Sequence, residues 1–281
     1  MSRDLSDPKT LRSVLDRHHI RAATGIGQRF LVDRSALAAI IDAAELGPDD
    51  DVLEIGPGPG VLTAALAGRA RSVTAVEIDE RMVAALNDTV VPFGNVRVVR
   101  ADALEVDLYA LGSRPPTRIV ANLPYQITSP LLMKFLEDPR RPPQIVVLVQ
   151  EEVARRIVAQ PGDAKERGFL SVFVQSFALP SIVRRVPARS FRPPPRVDSA
   201  IVALRTSPTS AFAPLDQHRF LALVSDTFRH RRKQLRSALG FEAGVTKARA
   251  EAALHAAGID PARRPEELAI AEWVALAKAL G

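Results

Sequence analysis

The chain has 281 residues, 47% of them hydrophobic, enough for one sizeable core and a smaller second domain. Cysteine is absent, which excludes disulfides, thiolate nucleophiles and cysteine-ligated zinc, and the adjacent His18 and His19 cannot face one way on a helix, so no metal is expected. With 38 Lys+Arg against 32 Asp+Glu the net charge is +6 and the sequence pI about 10.1, a balance that raises nucleic acid as a partner.

The N-terminal residues Met1-Ser-Arg-Asp-Leu-Ser-Asp-Pro8 lack the apolar stretch of a signal peptide, and the longest aliphatic run, Ile145 to Val149, is too short for a bilayer. A cytoplasmic protein is expected. Leu11, Val14 and Leu15 predict a short leading helix, and Asp33 an N-cap for a helix over 35–46.

Val52 to Ile55 then reads as a buried strand running into Gly56-Pro-Gly-Pro-Gly60 and a helix from Val61. Glycines there let the backbone approach a ligand, and a helix opening after them aims free N–H groups beyond the strand end. This is a nucleotide-type site, against the plainer reading of a tight strand-to-helix turn. A dinucleotide fingerprint would place its third glycine where Val61 stands, which disfavours an oxidoreductase.

Alternation continues with strands over 72–77, 96–100, 118–121 and 145–149, and helices over 80–90, 129–136 and 151–159. That order predicts an α/β fold with a mostly parallel sheet covered on both faces, ligands lying beyond the strands' carboxyl ends. Segments 181–186 and 199–204, joined by Phe191-Arg-Pro-Pro-Pro-Arg196, predict an antiparallel pair at the sheet edge. After Thr206 the pattern turns helical, over 216–239, 247–257 and 266–280, so the expected domains are 1–206 and an all-helical 207–281.

Three positions carry candidate chemistry. Glu77 ends the second strand 21 residues after Gly56, where a carboxylate can accept ribose hydroxyls; Asp102 follows the third strand, where an acid can accept an adenine's exocyclic amine. Either is otherwise a solvated acid at a strand end. Ala121-Asn-Leu-Pro-Tyr125 closes the fourth strand and points to chemistry on an amino group of a conjugated ring. The Asn122 side-chain oxygen and the Leu123 carbonyl would accept the two N–H bonds and localise the nitrogen lone pair; Pro124 stiffens the turn and Tyr125 stacks on the base. An Asx-type turn closing the strand is the alternative.

These motifs resemble the ribosomal RNA small-subunit adenine N6,N6-dimethyltransferase family, of the KsgA or Dim type. The likeness runs through Gly27-Gln-Arg-Phe-Leu31, Glu54-Ile-Gly-Pro-Gly58, Val76-Glu-Ile-Asp79, Asp102, Asn122-Leu-Pro-Tyr125, Ser190-Phe-Arg-Pro-Pro-Pro-Arg-Val-Asp-Ser199, Phe228 to Leu235 and Gly258-Ile-Asp-Pro261. It implies a Rossmann-like methyltransferase sheet with an N-terminal arm and a small helical RNA-binding domain. It also implies S-adenosylmethionine as cofactor, held by Gln28, Arg29, Leu31, Gly56, Gly58, Glu77, Asp102 and Asn122. The implied target is two adjacent adenosines in the 3′-terminal hairpin loop of 16S rRNA, clamped between Tyr125 and Phe191, although Phe191 alone reads equally as a core residue. The chain departs from the family at Arg29, where asparagine is usual.

The basic cluster Arg229, Arg231, Arg232, Lys233 and Arg236 is expected to contact RNA phosphates from one face of the helix over 216–239, or else to form a solvated face. A large-subunit adenine methyltransferase of the macrolide-resistance type and a non-catalytic small-subunit assembly factor are the competing readings; a monomer is expected.

Overall fold

The computed structural model describes residues 4–20, 29–241 and 245–281. The chain divides into two compact units, Met1–Ala154 with Pro180–Thr206, and Arg155–Leu179 with Ser207–Gly281.

In the first unit, α1 (Pro8–Arg17) is capped by Asp7 and followed by the two-residue strand β1 (Phe30–Leu31). Asp33 accepts the amides of Ser35 and Ala36 and so starts α2 (Arg34–Ala44), which ends in a left-handed Glu45. Next come β2 (Asp51–Ile55), α3 (Val61–Ala67), β3 (Ser72–Glu77), α4 (Glu80–Val90), β4 (Val96–Arg100), β5 (Arg118–Asn122), α5 (Thr128–Glu137) and β6 (Gln144–Gln150). Helix α6 (Glu151–Val158) follows directly, and α7 (Phe169–Phe177) runs into the edge strand β7 (Ala178–Val186), then β8 (Phe191–Arg192) and β9 (Ser199–Thr206).

The seven-stranded sheet has the order β4-β3-β2-β5-β6-β9-β7. Strands β4, β3, β2, β5 and β6 are parallel, and β9 returns antiparallel to β6 with Gln144 opposite Arg205 and Gln150 opposite Ser199. All five residues of β2 are buried, as a strand covered on both faces requires. The strand order reverses between β2 and β5, which opens a crevice at their carboxyl ends. Leu62 and Leu66 of α3 and Ile40 of α2 pack with Val52, Val120, Val146 and Ile201 of the sheet in one core. A separate two-stranded sheet, β1 antiparallel to β8, sets Phe30 opposite Arg192 and Leu31 opposite Phe191.

The second unit is helical: α6 in its later part, α7, α8 (Gln217–Arg229), the four-residue α9 (Leu235–Ala238), α10 (Lys247–Ala256) and α11 (Ile270–Leu280). The expectation of one cut near 207 is corrected here, because residues 155–179 group with the C-terminal helices. The cause is an aromatic ladder: Phe169, Phe173, Phe177, Phe212 and Phe220 follow one another at centroid separations of 5.8, 5.2, 5.4 and 4.6 Å. Arg167 is fully buried in the same unit, donating to the carbonyls of Ala159 and Leu268 and to the Gln175 side chain.

The long helix expected over 216–239 is also corrected. Asp216 caps α8, but the helix ends at His230, and Gln234 begins α9. Arg231, Arg232 and Lys233 therefore stand on the turn between two helices, tightened by Lys233 donating from its amide to the His230 carbonyl. Trp273 is fully buried and lies 5.7 Å from the Phe228 ring.

Candidate active site

A cavity of about 370 Å³ occupies the crevice in the first unit. Its walls come from four strand ends: Glu54 to Pro59 and Val61 after β2, Val76 to Asp79 after β3, Ala101 to Leu104 after β4, and Asn122 to Ile127 after β5, closed by Arg29, Phe30 and Leu31. The volume suits a nucleoside-sized ligand. Of the positions expected to bind cofactor, Arg29, Leu31, Gly56, Gly58, Glu77, Asp102 and Asn122 all border this one space; Gln28 lies outside the described residues.

The glycines act by conformation and by lacking a side chain. Gly56, Gly58 and Gly60 take φ of 66°, 55° and 96°. A Cβ on Gly58 would lie 3.2 Å from the Phe30 ring. Their amides are not aimed at a ligand: Gly56 donates to the Val76 carbonyl, Gly58 to the Glu77 carboxylate and Gly60 to the Pro57 carbonyl. The loop folds back on β3 and on itself, which takes those three donors; the N–H groups expected to be free are those of the opening turn of α3, after Gly60.

Glu77 is held rigidly. One carboxylate oxygen accepts the amides of Ile78 and Asp79 at 2.9 and 3.0 Å, and the other accepts that of Gly58 at 3.2 Å. Burial raises its pKa, opposed by these three hydrogen bonds. Ile78 beside it is 62% exposed, an apolar surface at the cavity's edge. Asp102 caps its own turn by accepting the Leu104 amide at 2.8 Å.

Glu54, which the sequence places in a strand and in the Glu54-Ile-Gly-Pro-Gly58 motif without a role of its own, borders the cavity at 1% exposure, and its Oε2 has no hydrogen-bond partner. Burial pushes its pKa up to about 8; Thr63 opposes the shift, although its hydroxyl falls outside hydrogen-bond geometry, and the nearby Glu77 charge adds to it. The one signal was an acid inside an apolar run. Among the described residues, four carboxyl groups, Glu54, Glu77, Asp79 and Asp102, thus face the space against one cation, Arg29, a balance that fits a ligand bearing hydroxyls and positive charge.

Asn122 donates from Nδ2 to the Arg29 carbonyl at 3.1 Å. A carbonyl can only accept, so this bond fixes the amide's orientation and leaves Oδ1 as an acceptor. Leu123 and Pro124 border the same space, and the Pro124 carbonyl starts the next turn by accepting from Ile127 and Thr128. The Tyr125 hydroxyl is 2.8 Å from Ser199 Oγ at the start of β9. Burial raises the Tyr125 pKa, with the Ser199 hydrogen bond and then the Arg29 charge opposing it. Ser199 is fully buried, so Tyr125 is anchored to the sheet.

Phe191 does not join this group. It is fully buried in the core with Leu31, Ile40 and Ile201 and does not border the cavity, so the expected stacking role is corrected: pairing of β8 with β1 turns its ring inward. In the second unit, Arg229 pairs with Asp226 at 3.0 Å and Arg236 bonds Gln234, while Arg231 reaches the Ala164 carbonyl; Arg232 and Lys233 are exposed.

Residues 20–281 match the family model described as ribosomal RNA adenine dimethylase. The chain belongs to that family. Its members use S-adenosylmethionine as methyl donor. Relatives named ribosomal RNA small subunit methyltransferase A include that of Dehalococcoides mccartyi, 42% identical over 93% of this chain and 89% of the relative, and that of Lactiplantibacillus plantarum, 40% identical over 100% and 98%. Among solved structures, a dimethyladenosine transferase from Plasmodium falciparum superposes with a TM-score of 0.76 at 28% identity, over 88% of this chain and 95% of the other. The 23S rRNA methyltransferase ErmE gives 0.68 at 33%, over 89% and 99%. Both confirm the Rossmann-like sheet.

Proposed function

We propose that this protein transfers methyl groups from S-adenosylmethionine to N6 of two adjacent adenosines in the 3′-terminal hairpin loop of small-subunit 16S rRNA, giving N6,N6-dimethyladenosine during ribosome biogenesis. The observation that carries this reading is the fixed Asn122 amide, its acceptor oxygen free in the cavity that also holds Glu77 and Asp102.

When bound, S-adenosylmethionine supplies an electrophilic methyl on a sulfonium centre. Glu77 would accept from its ribose hydroxyls, Asp102 and the Ile78 surface would hold the adenine, and the Gly56–Gly58 backbone would border the methionine part. Asn122 Oδ1 and the Leu123 carbonyl accept the target's two N6 hydrogens and set its lone pair toward the methyl carbon. Tyr125, anchored through Ser199, stacks on the base. Methylation would leave N6 cationic, with a proton acidic enough for water to take, so no dedicated base is assigned among this chain's residues. Positioning and electrostatics supply most of the acceleration.

Arg229, Arg231, Arg232, Lys233 and Arg236 of the helical unit are assigned to RNA phosphates, with Arg232 and Lys233 carrying most of the contact. The enzyme acts as a monomer in the cytoplasm, where the precursor subunit is assembled.

The second reading is a large-subunit adenine methyltransferase, favoured by the 33% identity to ErmE. Relatives near 40% over almost the whole chain favour the small subunit. Incubating purified small and large subunits with methyl-labelled cofactor and digesting the RNA should yield labelled N6,N6-dimethyladenosine from the small subunit. Label confined to large-subunit RNA overturns the assignment.

A further inference from the structure

The basic residues assigned to RNA so far lie in the helical unit, but the first unit carries its own concentration of arginine. Between Arg184 and Arg196 there are five. Two are committed: Arg184 donates to the Ser35 carbonyl and hydroxyl, and Arg185 pairs with Glu151. The other three, Arg189, Arg192 and Arg196, are exposed, and none is paired with a carboxylate among the described residues. The Arg192 guanidinium donates to the carbonyls of Arg189 and Phe191, at 3.1 and 2.9 Å, which orients it without neutralising its charge. In the whole stretch 187–199 the single acid is Asp198, and its carboxylate accepts the Ala188 amide.

This stretch is fastened to the walls of the cavity at both ends. The Val32 amide donates to the Ser190 carbonyl at 2.9 Å, and Ser190 Oγ donates to Asp33 at 2.7 Å, a bond that is the main cause holding the Asp33 pKa down at about 2. Arg192 is the register partner of Phe30, which lines the cavity. At the far end Ser199 holds the Tyr125 hydroxyl. Between these anchors Pro193, Pro194 and Pro195 supply stiff backbone with no N–H to donate. The result is a strap fixed beside Phe30 on one side and Tyr125 on the other, with three cations unpaired by any carboxylate against the single acid Asp198.

We propose that this strap is a second RNA-backbone surface, at the mouth of the cavity, in which Arg189, Arg192 and Arg196 bind the phosphates flanking the target adenosine while its base enters. The inference rests on the rRNA methyltransferase reading and deepens it. The logic is energetic: taking a base out of its stack costs a few kcal/mol, and cations on the flanking phosphates offset that cost where it arises. Contacts in the helical unit raise affinity; contacts on the strap set which nucleotide sits over Asn122.

The test uses the full chain, a small-subunit RNA hairpin and four variants. Neutralising Arg189, Arg192 and Arg196 together to Gln should make the slope of log K against log salt less negative by about 2, since each single-strand phosphate neutralised by the protein accounts for roughly 0.7 of that slope. KM for RNA should rise about tenfold or more, with S-adenosylmethionine affinity by calorimetry unchanged. The corresponding triple Lys variant, which keeps the charge, should retain the wild-type slope. Arg196→Gln alone, where no intramolecular bond is broken, should show a partial effect and guards against misfolding of the triple variant. An unchanged slope in the triple Gln variant, while Arg231→Gln, Arg232→Gln and Lys233→Gln together flatten theirs, overturns the proposal. So does loss of cofactor affinity in the triple Gln variant, which would make the strap part of the pocket's frame. Failure of the underlying reading looks different, since the wild-type protein would then bind RNA without methylating it.

Discussion

At the residue scale the site depends on one side chain whose two polar atoms do separate jobs. Asn122 is oriented through Nδ2 and acts through Oδ1. Replacing it with Ala removes the acceptor and leaves the Arg29 carbonyl without its donor, so methyl transfer should fall by about two to three orders of magnitude, the scale of removing one preorganised polar group that stabilises a transition state. Calorimetry should find S-adenosylmethionine affinity within a few-fold of wild type; wild-type turnover would remove Asn122 from the mechanism. Glu54 bears on stability instead. Its folded pKa, near 8, lies above the ordinary 4.5, so the folded state keeps a proton that the unfolded chain has released. The associated stability is fully present below pH 4.5 and drains away as pH climbs to about 8, at up to about 1.4 kcal/mol per pH unit. Glu54→Gln cannot titrate and should flatten this fall. Urea unfolding at pH 6, 7 and 8 checks it: the stability gap between variant and wild type should widen toward pH 8, and a constant gap would mean that Glu54 is ionised throughout.

At the element scale, the turn from β2 into α3 decides whether a cavity exists. Gly60 has φ of 96°, and a Cβ there would stand 2.8 Å from Leu86 and 2.9 Å from the Thr89 hydroxyl, which is itself bonded to the Pro59 carbonyl. Gly60→Ala should therefore cost about 2 to 4 kcal/mol, combining left-handed strain with overpacking against α4. Denaturant unfolding reads that directly, and a change under about 0.5 kcal/mol, the scale of an ordinary surface substitution, would show that α4 gives way freely. This turn was legible in the sequence, as were Glu77, Asp102 and Asn122, because each depends on a local pattern: an apolar run, a glycine, a residue at a strand's end. What escaped has equally physical reasons. Two-residue strands such as β1 and β8 carry no periodicity, and their pairing joins Phe30 and Leu31 to positions far along the chain, so the motif alone leaves Phe191 open between core and stacking. The bond from Ser199 to Tyr125 likewise spans 74 residues. The helix break at His230 lies in a stretch whose apolar spacing continues across it.

For the whole molecule, the division of the chain argues against the obvious dissection. A cut at 206 respects the change from alternating to purely helical pattern and would be the natural choice for isolating a catalytic fragment. It would also strand Phe169, Phe173 and Phe177 without Phe212 and Phe220, exposing an aromatic face that the second unit builds from both sides of β7 to β9. Arg167 would forfeit its bond to the Leu268 carbonyl and be left with one fewer acceptor. Each large ring returned to water forfeits roughly 1.5 to 3 kcal/mol, and an apolar patch of that size invites association. The fragment 1–206 should accordingly aggregate or melt well below the full chain. A milder cut into the same ladder, Phe212→Ala in the intact protein, should cost about 3 to 5 kcal/mol. Size-exclusion chromatography and thermal unfolding of the fragment beside the full chain decide the matter: a monomeric 1–206 with a wild-type melting temperature would mean that residues 155–179 take their stability from the first unit after all.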